Sequence, residues 1–334
     1  MKGIKKMSKL TKYKMVPTEL DSKWDNYVHE SKTSTPFLLS TYVCALDGNF
    51  RAYYCLKGNE IIAGLLVAVD DSGRNVIGHE LMVHDGLFYV NFPALNRSQT
   101  LSEEHKVAQF IAEFLAENYK SIILSFSPKI VDIRAFQWVN YHNDLPKYSE
   151  SIRYTSYVDI AEFADDDIDF KDYKLYKNAS VSRRQEIRYG YAKNVVVEYT
   201  ENIEEFLYLY EKTFERQNIT LQQNLLPQMR GLLSSLNASG DIKIYTAKNE
   251  KGHVGSIAIF LLLNDSAYYL FGANNYALRA EHTGTAVLWR AFKLLSKLGV
   301  TTVDLEGVNS PERGWFKLSF GGAIVPYFNV NYVA

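Results

Sequence analysis

The chain has 334 residues, with 37 Lys+Arg against 38 Asp+Glu and a net charge of -1, so it lacks the overall basic excess of a protein built to grip nucleic acid. Hydrophobic residues make up 47% and charged residues 22%, which excludes disorder over most of the length and allows about two domains. Cys44 and Cys55 are the only cysteines, which excludes a disulfide framework and a cysteine-rich zinc site and fits a reducing compartment; no apolar run approaches the ~20 residues of a membrane helix.

In chain order, the N-terminus MKGIKKMSKLTKYKM is basic without the apolar core of a signal peptide, and reads as a frayed, solvated tail on a cytoplasmic protein. A polar segment at 18–35 precedes strands at 50–56, 60–69 and 86–92, each rich in β-branched or aromatic residues. Lys57-Gly58-Asn59 turns the chain between the first two. Ser102-Glu103-Glu104 supplies a cap and early acidic charge for a helix on which Val107, Phe110, Ile111, Phe114 and Leu115 recur at helical spacing. A short buried strand at 121–127 ends at Pro128, and an amphipathic stretch follows at 131–141.

A strand at 153–160 leads to Asp165-Asp166-Asp167, read as a solvated turn, and then to a helix at 176–192 that carries Arg183, Arg184 and Arg188. A strand at 194–199 and helices at 203–216 and 227–236 follow. The last third is the most regular, with strands at 242–248, 254–263 and 267–272, a loop at 273–282, a helix at 286–298, a strand at 301–306, a short helix at 311–320 and a final strand at 324–333. Both halves therefore repeat one order: hairpin, third strand, helix, strand. Gly64 and Gly255 fall at matching places just inside the second strand. That order implies a duplicated α/β unit, each copy a mixed sheet with helices on its faces.

Three places suit chemistry. At Glu281-His282-Thr283-Gly284-Thr285-Ala286 a polar loop carrying Asn274 turns through glycine into a helix, where free N–H groups and the helix dipole suit a pyrophosphate or carboxylate. An ordinary helix capped by Thr283 or Thr285 has the same sequence signature. Glu306 and Asn309 follow a strand's C-terminal edge, where open α/β sheets bind ligands. There Glu306 suits a general base or a group that orients an amine, or equally a solvent-facing residue or the partner of an arginine such as Arg313. Lys317, among aromatics and before Gly321-Gly322, suits an oxyanion or phosphate contact, or a plain surface position. His84-Asp85 lies in a loop that suits a substrate contact, and the helix with Arg188 suits a phosphate. The 7 histidines show no HxxxH or HExxH spacing, so no metal is expected. GxSxG and the P-loop pattern are both absent.

Strand 157–160, the acidic linker, the run Arg183-Arg184-Gln185-Glu186-Ile187-Arg188 and strand 194–197 together resemble the entry to the second domain of FemABX-type proteins. EHTGTA before one helix and DLEGVNSPERGWFKLSFGG after it resemble the acceptor-site half of the same group, which belongs to the GNAT acyltransferase superfamily. The resemblance implies two tandem GNAT-like domains, each a mixed, mainly antiparallel sheet flanked by helices. They would be an N-terminal domain at 1–150 that shapes the acceptor cleft and a C-terminal domain at 151–334 that holds the donor and catalyses. It also implies direct attack of an amine on an acyl donor, with Glu306 as base, Asn309 orienting the acceptor and Lys317 stabilising the oxyanion. Phe271, Gly272, Thr283, Gly284, Thr285 and Ala286 would bind the donor, and His84, Asp85, Tyr269, Asn274 and Arg188 the substrate. Glu281 departs from the Gln or Arg of the usual pyrophosphate loop and places a repelling carboxylate there. The favoured reaction uses acyl-CoA and a nucleotide-linked (dTDP-type) amino sugar, without metal, stable nucleic acid or membrane insertion. The alternatives are an aminoacyl-tRNA-dependent Fem-type transferase acting on a peptidoglycan precursor and a non-catalytic double-GNAT scaffold.

Overall fold

The computed structural model describes residues 12–334, so most of the expected N-terminal tail, residues 1–11, lies outside the described residues. The chain forms two compact units. One holds the chain up to Arg153 together with Pro326–Ala334, and the other is Tyr154–Val325. Where the sequence suggested one break at 150, the chain changes unit twice, each time inside a strand, and its last residues belong with the first unit.

In the first unit β1 (Tyr13–Thr18) is followed by α1 (Ser22–Glu30) and a short α2 (Ser40–Val43). The reading of 1–15 as a frayed tail missed the start of β1, where Tyr13 is buried, and the polar reading of 18–35 missed its end and α1. Asp21 caps α1 through Trp24 N, and the helix turns Trp24 and Val28 inward while its other face stays polar. Strands β2 (Asn49–Lys57) and β3 (Glu60–Val69) form the expected hairpin. Gly58 sits at φ +63° in its turn, a conformation that costs glycine little. β3 is central: β4 (Val76–Ile77) and β5 (Gly86–Tyr89) both pair with it. Helix α3 (Arg97–Asn118) lays Val107, Ala108, Ile111, Ala112 and Leu115 into the core and begins five residues before Ser102, the cap read from sequence. Its start is a capping box: Asn96 Oδ1 accepts from Gln99 N, and Gln99 Oε1 accepts from Asn96 N, both at 3.0 Å. Glu103, read as early acidic charge, is buried and accepts from Tyr13 Oη at 2.8 Å. Strand β6 (Ser121–Ser125) pairs antiparallel with residues 329–333. Of the amphipathic stretch at 131–141, only α4 (Arg134–Gln137) is helical.

The second unit begins within β7 (Ser149–Asp159). The single helix predicted at 176–192 is two, α5 (Lys174–Asn178) and α6 (Val181–Ala192), because Ser180 turns extended and caps α6 through Arg183 N at 3.1 Å. Then come β8 (Val196–Tyr199), α7 (Ile203–Arg216), α8 (Leu225–Ser239), β9 (Ile242–Lys248), β10 (Val254–Leu263), β11 (Ser266–Asn274), α9 (Thr283–Ser296), β12 (Thr302–Asp304), α10 (Pro311–Leu318) and β13 (Ala323–Val333). Within the unit the strands lie in the order β7-β12-β11-β10-β9-β8, antiparallel except for β11 and β12. The apolar face of α9 packs Trp289 and Phe292 against Phe163, giving the unit its own aromatic core. Among the described residues no helix is long and apolar enough to cross a membrane.

Two irregularities shape the site. Register shifts from Val254↔Lys248 to Ser256↔Ala247, so Gly255 is an extra residue in β10, and a Cβ there would lie 2.5 Å from Thr283 Oγ1. Without a side chain at Gly255, the start of α9 can sit directly on the strand. The second concerns β11 and β12, which pair only over Ser266↔Thr302, Ala267↔Val303 and Tyr268↔Asp304. β11 runs on to Asn274, with Leu270 bulged out of register with β10, while the chain after Asp304 turns away.

Candidate active site

Where β11 and β12 separate, Glu306 stands at φ +53°, a left-handed conformation unusual for a residue with a side chain. Both of its backbone polar groups are held. Its N–H donates to Asp304 Oδ1 at 2.8 Å, and its C=O accepts from Lys317 Nζ at 2.8 Å. Thr155 Oγ1 donates to the same Asp304 oxygen. Glu306 and Asp304 are both buried. Burial first, and then the neighbouring Asp304, raise the Glu306 carboxyl well above the ordinary carboxylate range, while Lys317 pulls it back. Burial lowers the Lys317 ammonium to about 8, against the opposing pull of Glu306 and Asp304. Lys317 Nζ also lies 5.3 Å from the centroid of the Tyr269 ring, whose hydroxyl burial raises to about 12. This corner thus holds a carboxyl and an amine whose proton affinities have been brought together, the condition for moving a proton near neutral pH.

The second feature is the start of α9. Its N-cap is His282, at φ +58°, and no side chain caps the helix. The threonines read from sequence as possible caps are engaged elsewhere: Thr283 Oγ1 meets Ser256 Oγ at 2.8 Å, and Thr285 Oγ1 accepts from Arg183 Nη1. The first-turn N–H groups are therefore left for a ligand. They border a cavity of about 450 Å³ lined by Gly284, Asn274, Ser256, Arg183, Arg216 and Arg279, among others. Asn274 Oδ1 accepts from Ser256 Oγ at 2.7 Å, fixing the cavity wall opposite Gly284. His282 Nδ1 lies 2.6 Å from Glu186 Oε2, which holds the left-handed corner in place.

Several predicted residues lie elsewhere. Glu281 does not line the cavity; Lys193 Nζ meets it at 3.3 Å, so the expected repulsion is offset. Arg188 is exposed, and its Nη1 donates to Tyr176 Oη at 2.9 Å, whereas Arg183 of the same run enters the wall. The face of α6 that meets α9 decides between them, a tertiary fact that the local run does not carry. Asn309 uses its amide on one backbone: Oδ1 accepts from Tyr154 N at 2.7 Å, and Nδ2 donates to Tyr154 O at 2.9 Å. It extends a strand edge there. Phe271 sits 6.1 Å from Phe206 in an aromatic cluster, and the Tyr269 hydroxyl occupies the place of a Cβ on Gly272. Ala286, inside the first turn of α9, is buried against Gly190. In the first unit, His84 is buried edge-on to Tyr327 at 4.9 Å, and burial lowers its imidazole to about 3. Asp85 accepts from Ser125 N at 2.7 Å, and burial raises its carboxyl to about 7. Arg216, Arg279, Tyr276, Ser256, Asp304 and Thr155 were missed as site residues, because no short motif links elements so far apart in sequence.

Residues 177–314 match the acetyltransferase (GNAT) domain family. This segment contains Glu306 and, apart from Phe316, the residues that line the α9 cavity, and it ends just before Lys317. No curated protein matches the chain in sequence. Among solved structures, FemX is similar over nearly the whole length, with TM-score 0.65 and 14% identity, covering 94% of this chain and 96% of that one. L-PGS from Bacillus licheniformis gives TM-score 0.55 and 12% identity, covering 94% and 92%. A tandem GNAT protein from the clavulanic acid biosynthesis pathway gives 0.53 and 10%, covering 96% and 98%. The fold is that of tandem GNAT proteins and is similar to FemX, and the segment that matches the GNAT domain family lies within the second unit.

Proposed function

We propose that this chain is a Fem-type acyltransferase that moves an acyl group from a phosphate-bearing donor to a primary amine, with donor and chemistry in the second unit. The observation that carries this reading is the uncapped start of α9 facing an arginine-lined cavity. Gly284, Thr283, Thr285 and Asn274 would hold the donor phosphate, and Phe271, Gly272 and Ala286 pack behind these elements without lining the cavity. The acceptor amine attacks the acyl carbonyl; a C–N bond forms and the bond to the donor oxygen or sulfur breaks. The amine loses one proton, for which Glu306 in its ionised form is the acceptor, directly or through water. Lys317, as the ammonium, balances the charge that develops on the carbonyl oxygen. Asn309 acts as a positioning residue through Tyr154, and Tyr269 through its contact with Lys317. We assign the acceptor to the first unit, where His84 and Asp85 are buried and would not contact it directly.

The donor we favour is an aminoacyl-tRNA, with a peptidoglycan precursor as acceptor. The near-complete mutual coverage with FemX supports it. A second reading, acyl-CoA with a nucleotide-linked amino sugar, is favoured by the glycine turn at an open helix start, which suits a pyrophosphate. One assay separates them. The protein is offered aminoacylated tRNA with an amine-bearing peptidoglycan precursor, and separately a panel of acyl-CoAs with a dTDP-linked amino sugar while free thiol is followed. Amide formation in the first arm supports the favoured donor, and thiol release in the second replaces it. Binding that raises the melting temperature without turnover in either arm would leave only the scaffold.

A further inference from the structure

The α9 cavity contains more positive charge than its glycine turn needs. Arg183 is only 8% exposed, yet its guanidinium donates to two hydroxyls, Ser319 Oγ at 2.8 Å and Thr285 Oγ1, and to no carboxylate. Its planes are covered by Phe316 and Phe320, 4.3 and 4.7 Å to the ring centroids. Burial lowers the Arg183 guanidinium to about 10 against the pull of the nearby Glu186, and a bound anion at the cavity wall would offset that cost further. Beside it, the ends of two other elements bring a pair of guanidinium groups onto one ring. Arg216, the last residue of α7, and Arg279, in the turn that precedes α9, lie 4.4 and 4.3 Å from the Tyr276 centroid. Tyr276 is 51% exposed, and all three residues line the cavity. Arg279 Nη1 also donates to Tyr276 O at 3.3 Å. Among the described residues neither Arg216 nor Arg279 forms an ion pair, and the one acidic side chain on the lining, Glu186, is engaged by His282. Two like charges gathered on one ring at the cavity wall, neither paired with a carboxylate, suit an anionic group, which guanidinium forks bind well.

We infer that Arg216, Tyr276 and Arg279 form a second phosphate site, separate from the helix start, so that the cavity selects donors carrying more than one phosphate. Arg183 serves the site at the helix start, doing the work that a Gln or Arg at position 281 would do. The inference rests on the donor cavity proposed above. The shared chemistry is a nucleotide with a further phosphate beyond the one at the helix, which either a coenzyme A or the 3′ end of an RNA supplies.

Equilibrium binding to the full chain tests this with three probes: coenzyme A, 3′-dephospho-coenzyme A and a hairpin RNA ending in CCA. If the source is coenzyme A, the wild type binds it about tenfold tighter than the dephospho form, and R216A/R279A erases that difference. If the source is RNA, R216A/R279A weakens binding at least tenfold and lowers the salt slope of log K by roughly two. Tyr276→Leu, which leaves both charges but removes their platform, reproduces most of either loss, and Tyr276→Phe retains binding. A thermal melt of each variant confirms folding, since these side chains are at the surface. Unchanged affinity of R216A/R279A for coenzyme A and RNA overturns the inference, as does an equal loss for coenzyme A and its dephospho form. Failure of wild type to bind any probe does the same. Turnover measured in parallel keeps the two readings apart: arginine-dependent binding without transfer ends the acyltransferase reading and leaves the second phosphate site standing.

Discussion

The two units start their long helices in opposite ways. In the first, Asn96 and Gln99 exchange hydrogen bonds across the first turn of α3, so the helix satisfies its own N–H groups. In the second, His282 offers α9 no cap, the nearby threonines are tied to Ser256 and Arg183, and the free N–H groups border the arginine-lined cavity. The same supersecondary order therefore gives one helix start finished for stability and one left open for a ligand. A cap contributes about 1 kcal/mol to a helix. That stabilisation is absent at the α9 start, and under the proposed reading a bound anion supplies it. The corner formed by Glu306 and Lys317 lies in the same unit: both follow β12.

The largest expected effect is on chemistry. Lys317→Ala lowers kcat by about 10²-fold to 10³-fold with KM nearly unchanged, because the lost interaction belongs to the transition state. A matching rise in KM would place Lys317 in ground-state binding instead. Next comes pH. Burial lowers Lys317 to about 8, so its ammonium is lost as pH rises through that value, and the rate falls on the alkaline side. Glu306, raised above the carboxylate range, must be ionised to accept a proton, so the rate falls on the acid side at a higher pH than a surface carboxylate would give. These limbs belong to the coupled pair. Lys317→Arg moves the alkaline limb upward, and Glu306→Gln removes the acid limb; profiles identical to wild type would take the pair out of the reaction.

The matched glycines sharpen the contrast between units. A Cβ at Gly255 would press on the Thr283 side chain at 2.5 to 2.9 Å, and one at Gly64 would press on Phe88 and on Trp24. Each Gly→Ala change is expected to cost about 1–3 kcal/mol of stability by overpacking. Only Gly255→Ala should also weaken donor binding, several-fold, because it pushes on the open helix start. Equal binding by both variants would break the link between that bulge and the ligand. The smallest effect is at the closed start: Asn96→Ala costs about 1 kcal/mol in chemical denaturation and leaves transfer kinetics untouched.

The order of elements was legible because apolar spacing is local. The 3.6-residue pattern of α7 gave its bounds, Ile203–Arg216, and the two hairpins announced themselves through glycine turns. Helix α1 was not legible: only Trp24 and Val28 are buried in an otherwise polar stretch. The break between α5 and α6 was hidden because serine fits both a helix interior and a cap. At the site, Gly284, Glu306 and Lys317 could be read from short motifs. Arg183 rather than Arg188, and the pairing of Arg216 with Arg279, depend on which faces α6 and α7 present to α9 and β11, and that information lies in the packing.

The most direct measurement is hydrogen exchange at the two helix starts, in the presence and absence of coenzyme A and of the CCA-ended RNA. Protection of the Thr283, Gly284 and Thr285 amides by one of these probes, with no change at Arg97, Ser98 and Gln99, is the predicted result. Protection at the α3 start, or at neither, would contradict the assignment of the donor to the second unit.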